Sequence, residues 1–396
     1  MVQSARLVRF ASEMQAPATA RMHFSIIDDL DSVSATQWNA LAGGQPFVQH
    51  AFLHGLQATG CVGAARGWLG MHVLMWQAQR LVGAMPLYLK THSQGEYVFD
   101  HVWAHAFERH GLPYYPKLLA AVPFSPVPGP RLLAHTHEHR VLLARCAMQL
   151  ARQHGCSSLH VLFPSDTDRL ALQEAGLLMR EDVQFHWHNQ GWTSFEDFLA
   201  SLNQKTRKKL RQDSRKVEQA GVRLRWLAGA EITDPVLAFF HRCYVNTHWV
   251  RGRDPYLNLA FFQRLHRTLP QALLIVQAEQ AGKPIASALS LRDTHALYGR
   301  YWGSTAFVPG LHFETCYVQA IRYCLAHGLS RFEGGAQGEH KLSRGMLPVR
   351  THSAHWIAHP FCARAIESFL RQESLTIGRY MDELEAHSPF RQSGQG

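Results

Sequence analysis

At 396 residues the chain is long enough for two domains with separate cores, and 46% hydrophobic against 18% charged residues is the balance of a globular protein, not a disordered one. Forty Lys and Arg against 30 Asp and Glu leave a formal charge of +10, which favours anionic partners: nucleic acid, phosphorylated substrates or an acidic membrane surface. No apolar run suits a spanning helix or a secretory leader, and seven scattered cysteines without a Cys-x-x-Cys pair argue against a disulfide framework or a zinc ribbon, so a soluble, cytoplasmic, metal-free protein is expected.

A strand is predicted around Met22 to Ile27, then helices near 34–42 and 50–59 and a β-meander reaching about residue 103. Alternation in LVGAMPLYLK marks a strand covered on both faces, and Pro86 within it predicts a bulge or an edge, because proline cannot donate to the ladder. The stretch 114–133 is too punctuated by proline for a helix and reads as ordered loop with a short strand. A helix at about 138–154 and strands near 159 and 185 complete a first domain, residues 20–190. The histidines of HTHEH (135–139) fall at that helix's start and read as solvated, not as metal ligands.

The second domain, residues 191–390, opens with SFEDFLASLNQKTRKKLRQDSRKVEQAG, helical by composition, with Gly221 as its stop. Seven of the twelve residues from Lys205 to Lys216 are basic, and Arg207, Arg211 and Arg215 recur at every fourth position, so with Lys205 and Lys208 they build one positive stripe. Such a stripe is either a solvated face or a contact for an anionic ligand. A second meander over 272–302 leads through GRYWGSTAFVPG into a helix with Phe313, Cys316, Tyr317, Ala320, Ile321 and Cys324 on one face and Gly328 as its left-handed stop. A helix near 361–386 follows, and residues 1–19 and 391–396 read as flexible tails.

Four blocks recur in one order. LMWQAQRLVGAMPLYL (74–89) returns as LIVQAEQAGKPIASALSL from 274, RQHGCSSLHV (152–161) as LAHGLSRFEG (325–334), and QFHW (184–187) as SAHW (353–356), with an aromatic-rich strand between. The pattern predicts two copies of one α/β unit. His186 and His355 hold equivalent places in the two copies, which marks them as packing features.

The segments GAMPLYLKTHSQGEYVFD (83–100), YYPKLL (114–119), AVPFSPVPGPRLL (121–133), LHVLFP (159–164), VQFHW (183–187), LYGRYWG (297–303), LHFETCY (311–317), EGGAQGEHKLSRG (333–345) and SAHWI (353–357) resemble the bacterial FemAB-like N-acyltransferases, the peptidoglycan biosynthesis or recognition proteins. The resemblance spans residues 46–391. It implies tandem GNAT-like (acyl-CoA N-acyltransferase) domains, each a central, mostly antiparallel mixed sheet flanked by helices. It also implies transfer of an aminoacyl or acyl group to an amine acceptor, such as a peptidoglycan precursor, a peptide or a small metabolite. HWVRGRDPYLN (248–258) departs from the family's usual Trp-Gly-Arg-Pro-Tyr-Leu pattern, and Met346 and Leu347 stand where a tyrosine or an acid is expected.

Acyl transfer to an amine needs a donor cradle, a hydrogen-bond donor for the oxyanion and a base for the ammonium proton. The loop that cradles coenzyme A pyrophosphate in GNAT enzymes corresponds to Phe307–His312, where only Gly310 is in place and Pro309 has no N–H to give. Loss of that cradle favours aminoacyl-tRNA over acyl-coenzyme A as donor, with no tightly bound cofactor, and gives the basic stripe a partner in tRNA. The densest polar cluster holds Glu333, Gln337, Glu339, His340, Lys341 and Arg344 among glycines that allow close backbone approach. Glu333 is the first candidate base and His340 the second, while Lys341 and Arg344 could hold a phosphate or carboxylate. Alternation puts Tyr298, Arg300 and Trp302 on one face, and Arg300, Tyr301 and Trp302, with His312 and Glu314 at the next helix start, complete the expected substrate wall. In the first domain Glu96 and Asp100, on a predicted strand, could line an acceptor cleft with Lys117, or protect a sheet edge. A coenzyme A-dependent acetyltransferase and a noncatalytic module that binds an anionic ligand or glycan are the competing readings.

Overall fold

The computed structural model describes residues 22–336 and 338–391, with a two-residue strand at Leu7–Val8. The chain forms two compact units, one of residues 1–182 and 351–377 and one of residues 183–350 and 378–396. The sequence reading cuts the chain once, near residue 190. The chain instead changes unit three times, because the strand containing SAHW and most of the last helix belong with the first unit.

In the first unit Met22–Ile27, His72–Gln77 and Arg80–Met85 form an antiparallel ladder, and the predicted helices are Ala35–Ala42 and His50–Ala58. Ser34 starts the first of these helices by accepting from the Gln37 N–H. The strand predicted across LVGAMPLYLK breaks at Pro86 and Leu87 and resumes as Tyr88–Lys90, as the missing proline donor requires. Tyr88–Lys90 pairs antiparallel with Trp68–Gly70 and with Lys117–Ala120, and the latter runs parallel to Ser158–Leu162. The last partner of Ser158–Leu162 comes from far down the chain, with His355 opposite His160. A core of Val73, Met75, Met85, Leu118, Leu143, Leu159 and Val161 fills the space under helix His137–Gln153.

The meander does not continue to residue 103. Residues 91–100 turn, and Asp100 begins the helix His101–Arg109, whose Trp103 and Phe107 bury against Tyr114 and Ile366.

In the second unit Val222–Ala228, Leu273–Gln280, Lys283–Arg292 and Ala296–Ser304 form an antiparallel ladder. Ala296–Ser304 then runs parallel to Arg331–Glu333, which pairs antiparallel with His186 to His188. Each unit therefore carries a hairpin, one parallel pair and a closing antiparallel strand drawn from the other half of the sequence. The predicted basic helix is two helices, Phe195–Ser201 with a Ser194 and Asp197 capping box, and Gln204–Gln219 capped by Asn203. Gly221 ends the second at φ +71°.

His186 and His355 are both buried, and each bonds the side chain two residues before it, Gln184 at 3.2 Å and Ser353 at 2.8 Å. Burial drives the His186 imidazole down to about 3, so it packs as a neutral ring. No helix among the described residues is long and apolar enough to cross a membrane.

Candidate functional site

In the second unit the parallel pair is short. Ala296, Leu297 and Tyr298 pair with Arg331, Phe332 and Glu333, after which one strand continues to Ser304 and the other leaves through Gly334 and Gly335. The sheet therefore opens, and a pocket of about 110 Å³ lies where it parts. Gly299, Arg300, Tyr301 and Trp302 line it from the long strand, Phe332 and Gly334 from the short one, and His312, Thr315, Cys316, Tyr317 and Ala320 from the helix above. That helix carries a π-helical turn over Glu314–Val318, which brings Thr315, Cys316 and Tyr317 to the opening.

Arg300 is the extra residue of a bulge: Leu289 faces Tyr301 while Ser290 faces Gly299. Strict alternation fails there, so Tyr298 does not line the pocket with Arg300 and Trp302 as predicted. Its hydroxyl donates to Asp293 at 2.7 Å instead. Trp302 lies 5.3 Å from the His312 ring, Tyr301 sits among Tyr244 and Phe262, and Arg300 rides over Tyr301 at 5.1 Å.

Positive charge concentrates around this opening. Lys341 is buried and donates to the Gly335 carbonyl at 2.6 Å; burial, then Arg300, pushes its ammonium down to about 8. Arg344 is buried over the Phe313 ring at 4.1 Å and donates to Asp213 at 2.9 Å. Burial, assisted by His340, Arg251 and Arg344, pushes His312 down to about 4. His340 meets the Tyr317 hydroxyl at 3.3 Å, and burial followed by Lys341 and Arg344 keeps its imidazole below the usual range. Burial raises Tyr317, so its hydroxyl stays protonated. A neutral imidazole thus meets a protonated phenol at a cationic mouth.

Several expected residues do other work. Glu333 is absent from the lining although its neighbours Phe332 and Gly334 are present; it is buried with Arg331 at 3.1 Å. Glu314 is buried and accepts from Ser214 at 2.5 Å and from Gln319 at 2.9 Å, so it ties helix Gln204–Gln219 to the π turn. Glu339 is exposed and accepts from Tyr380 at 2.6 Å. Gln337 lies outside the described residues. Gly334 admits the protein's own Tyr317 and Met346: a Cβ there would stand 3.2 and 2.9 Å from them.

The donor loop is braced by the basic helix. Gly310 has φ +86°, and its Cβ, if it had one, would lie 3.0 Å from the Asp213 carbonyl. On that helix Lys205, Lys208 and Arg215 are exposed, Arg207 is half-buried, and Arg211 already pairs with Glu196 at 2.7 Å.

In the first unit Glu96, Asp100 and Lys117 do come together, but not in a cleft and not on a strand of acids. All three are buried, and Lys117 bonds both carboxylates, Glu96 at 2.8 Å. Tyr114 donates to Asp100 at 2.6 Å, and Lys90 lies 3.7 Å over the Trp68 ring. Burial, outweighing Lys117, lifts Glu96 to about 7, and burial, outweighing Glu96, depresses Lys90 to about 7, as expected for paired charges withdrawn from water. The first unit's parallel pair is closed by its own chain: Gly129 donates to the Phe163 carbonyl at 3.0 Å and Arg131 to the Leu162 carbonyl at 2.9 Å. Tyr317, Asp213 and the π turn were not singled out as site features by the sequence. Only the single acid inside the basic run hinted at Asp213.

A family model described as FemAB-like, peptidoglycan biosynthesis/recognition, matches residues 29–392. Among solved structures, FemX aligns with a TM-score of 0.54 at 10% identity over 85% of this chain and 98% of its own. The C-terminal domain assigned to a lysylphosphatidylglycerol synthetase of Agrobacterium fabrum aligns with a TM-score of 0.51 at 11% identity, covering 84% and 94% of the two chains. A tandem GNAT protein from the clavulanic acid biosynthesis pathway aligns at 0.44 with 12% identity, covering 86% and 99%. No curated protein matches the sequence. The mixed α/β fold expected from the sequence, sheets flanked by helices as in FemX, is the fold observed.

Proposed function

The chain belongs to the FemAB-like peptidoglycan biosynthesis/recognition family, and from that premise we propose that it is an N-acyltransferase whose reaction centre is the opening of the second unit's sheet. The observation that carries the proposal is the convergence of Arg300, His312 and Tyr317 at the point where the parallel strands part, with His340 3.3 Å behind the Tyr317 hydroxyl. Aminoacyl-tRNA is the favoured donor and an amine, such as that of a peptidoglycan precursor, the acceptor. The names FemX and lysylphosphatidylglycerol synthetase, borne by proteins of this fold, are compatible with aminoacyl transfer.

In this reaction the acceptor ammonium gives its proton to neutral His340, the free amine attacks the ester carbonyl, and the C–O ester bond breaks as the C–N amide bond forms. The departing sugar hydroxylate takes a proton from Tyr317, which recovers one from His340, and the surplus proton left on the new amide nitrogen passes to the again-neutral His340 and on to water. Arg300 and Lys341 lower the cost of negative charge on the carbonyl oxygen and on nearby phosphate. Glu333, engaged with Arg331, serves architecture, and His340 takes the role of base. The exposed cations of helix Gln204–Gln219, which braces the Gly310 loop, follow the phosphate backbone of the donor.

Incubation of the full chain with charged tRNA or acetyl-coenzyme A and an amine panel, read by mass spectrometry, tests the proposal. RNase-sensitive amide formation is expected. Coenzyme A release would reassign the donor, and no transfer with either donor, beside tight binding of an anionic glycan, would overturn catalysis altogether.

A further inference from the structure

The first unit holds a second pocket, of about 240 Å³, lined by Asp28, Asp29, Trp68, Gly70, His72 and Tyr88 among others. It has no lysine or arginine in its wall. Two donors at its floor lack protein acceptors among the described residues. The His72 ring accepts from the Leu87 N–H through Nδ1 at 3.2 Å, which leaves the proton on Nε2, and no acceptor meets that atom. Burial drives this imidazole down to about 4, so it stays neutral. Tyr88 is 1% exposed and its hydroxyl has no hydrogen-bond partner, although its ring is fixed edge-on by Trp68 at 5.4 Å and His72 at 5.1 Å.

The buried Tyr88 hydroxyl, left without a partner, costs on the order of 1–3 kcal/mol unless a ligand supplies an acceptor. Gly70 keeps the space open: a Cβ there would stand 2.6 Å from the Asp28 carbonyl and 3.2 Å from His72 Nε2. Asp29, near enough to act on His72 electrostatically, puts negative charge at the mouth. A carboxylate or phosphate is disfavoured in a pocket with acidic residues and no cation. An uncharged oxygen deep inside and an ammonium outside fit the wall.

We propose that this pocket binds a small amine that also carries a hydroxyl or carboxamide, its oxygens accepting from His72 Nε2 and the Tyr88 hydroxyl and its ammonium facing Asp29. At roughly 30 Å³ per water-sized group the volume suits about eight heavy atoms. This is a site apart from the opening in the second unit and stands whether or not that opening is catalytic.

The test is calorimetric titration of the full chain with serinamide, compared with propylamine, which lacks the oxygens, and 3-hydroxypropanamide, which lacks the ammonium. Saturable serinamide binding is expected, with each control at least about fivefold weaker, the worth of one hydrogen bond near 1 kcal/mol. Tyr88→Phe should weaken serinamide by a similar factor while leaving the unliganded melting temperature unchanged or higher. Asp29→Asn, which keeps a side-chain oxygen for the Asp31 N–H that Asp29 accepts from at 2.9 Å, should weaken serinamide and not 3-hydroxypropanamide. Equal binding of serinamide and propylamine, no binding at tens of millimolar, or a Tyr88→Phe protein that melts several degrees lower would each overturn the proposal.

Discussion

The Asp213–Arg344 pair makes an asymmetric prediction. Arg344 has 2% side-chain exposure and Asp213 16%, and their single hydrogen bond is 2.9 Å long. Among the described residues the guanidinium Nε and Nη1 have no acceptor. Asp213→Ala therefore leaves a buried cation with only the Phe313 ring beneath it, whereas Arg344→Met leaves a partly hydrated carboxylate with Lys216 at 3.8 Å. Stranding a buried charge costs about 3–5 kcal/mol, and an apolar replacement of a buried ion is often tolerated. Asp213→Ala should thus cost about 3 kcal/mol and Arg344→Met about 1–2 kcal/mol, including the lost contact with Phe313. Urea denaturation of the two single variants and the double variant measures both costs and their coupling. Equal costs, or a larger cost for Arg344→Met, would refute the reasoning that burial of the guanidinium sets the scale.

Stability should fall on acidification through buried histidines. His72 and His186 are pushed to about 4 and about 3, below the ordinary 6.5, so the unfolded chain binds more protons below 6.5 and stability drops as pH falls. Each contributes up to about 2 kcal/mol between pH 6.5 and 5, while Glu96, held up near 7, acts in the opposite sense. A His186→Gln variant should show a melting temperature that falls less steeply with pH over that window; an unchanged slope would contradict the assignment. Reversal of charge at Lys208 and Arg215 should weaken tRNA binding and flatten its dependence on salt by about one logarithmic unit per lost phosphate contact, while Arg211→Glu should do less because Arg211 is already engaged by Glu196. Filter binding from 50 to 200 mM salt reads both. Glu333→Gln should lower stability without moving the pH profile of transfer, since its carboxylate faces Arg331 and not the pocket.

Much of the fold is legible in the sequence because alternation and helix stops are local signals. The two hairpins, the Pro86 break and the Gly221 and Gly328 stops all follow from them. The exchange of closing strands is not legible: QFHW and SAHW have similar local patterns, and nothing within either says which unit it will close. Helix His101–Arg109 was masked by the strand-like YVF before it, although Trp103 and Phe107 stand at helical spacing. Polar density from 333 to 344 picks out a segment beside the opened sheet without showing what each side chain does there. Glu333 holds Arg331, Glu339 holds Tyr380 and Arg344 holds Asp213, so much of the cluster secures its own loop. The Arg300 bulge defeated strict alternation, and Gly299 within the strand was its only hint.

Whether acyl transfer occurs at the opened sheet of the second unit is decided by single-turnover transfer from aminoacyl-tRNA in His340→Gln and Arg300→Met proteins whose melting temperatures match the parent chain. The rate of amide formation should fall at least a hundredfold in His340→Gln and substantially in Arg300→Met, with tRNA affinity retained. Full-speed transfer by both variants would place the chemistry elsewhere.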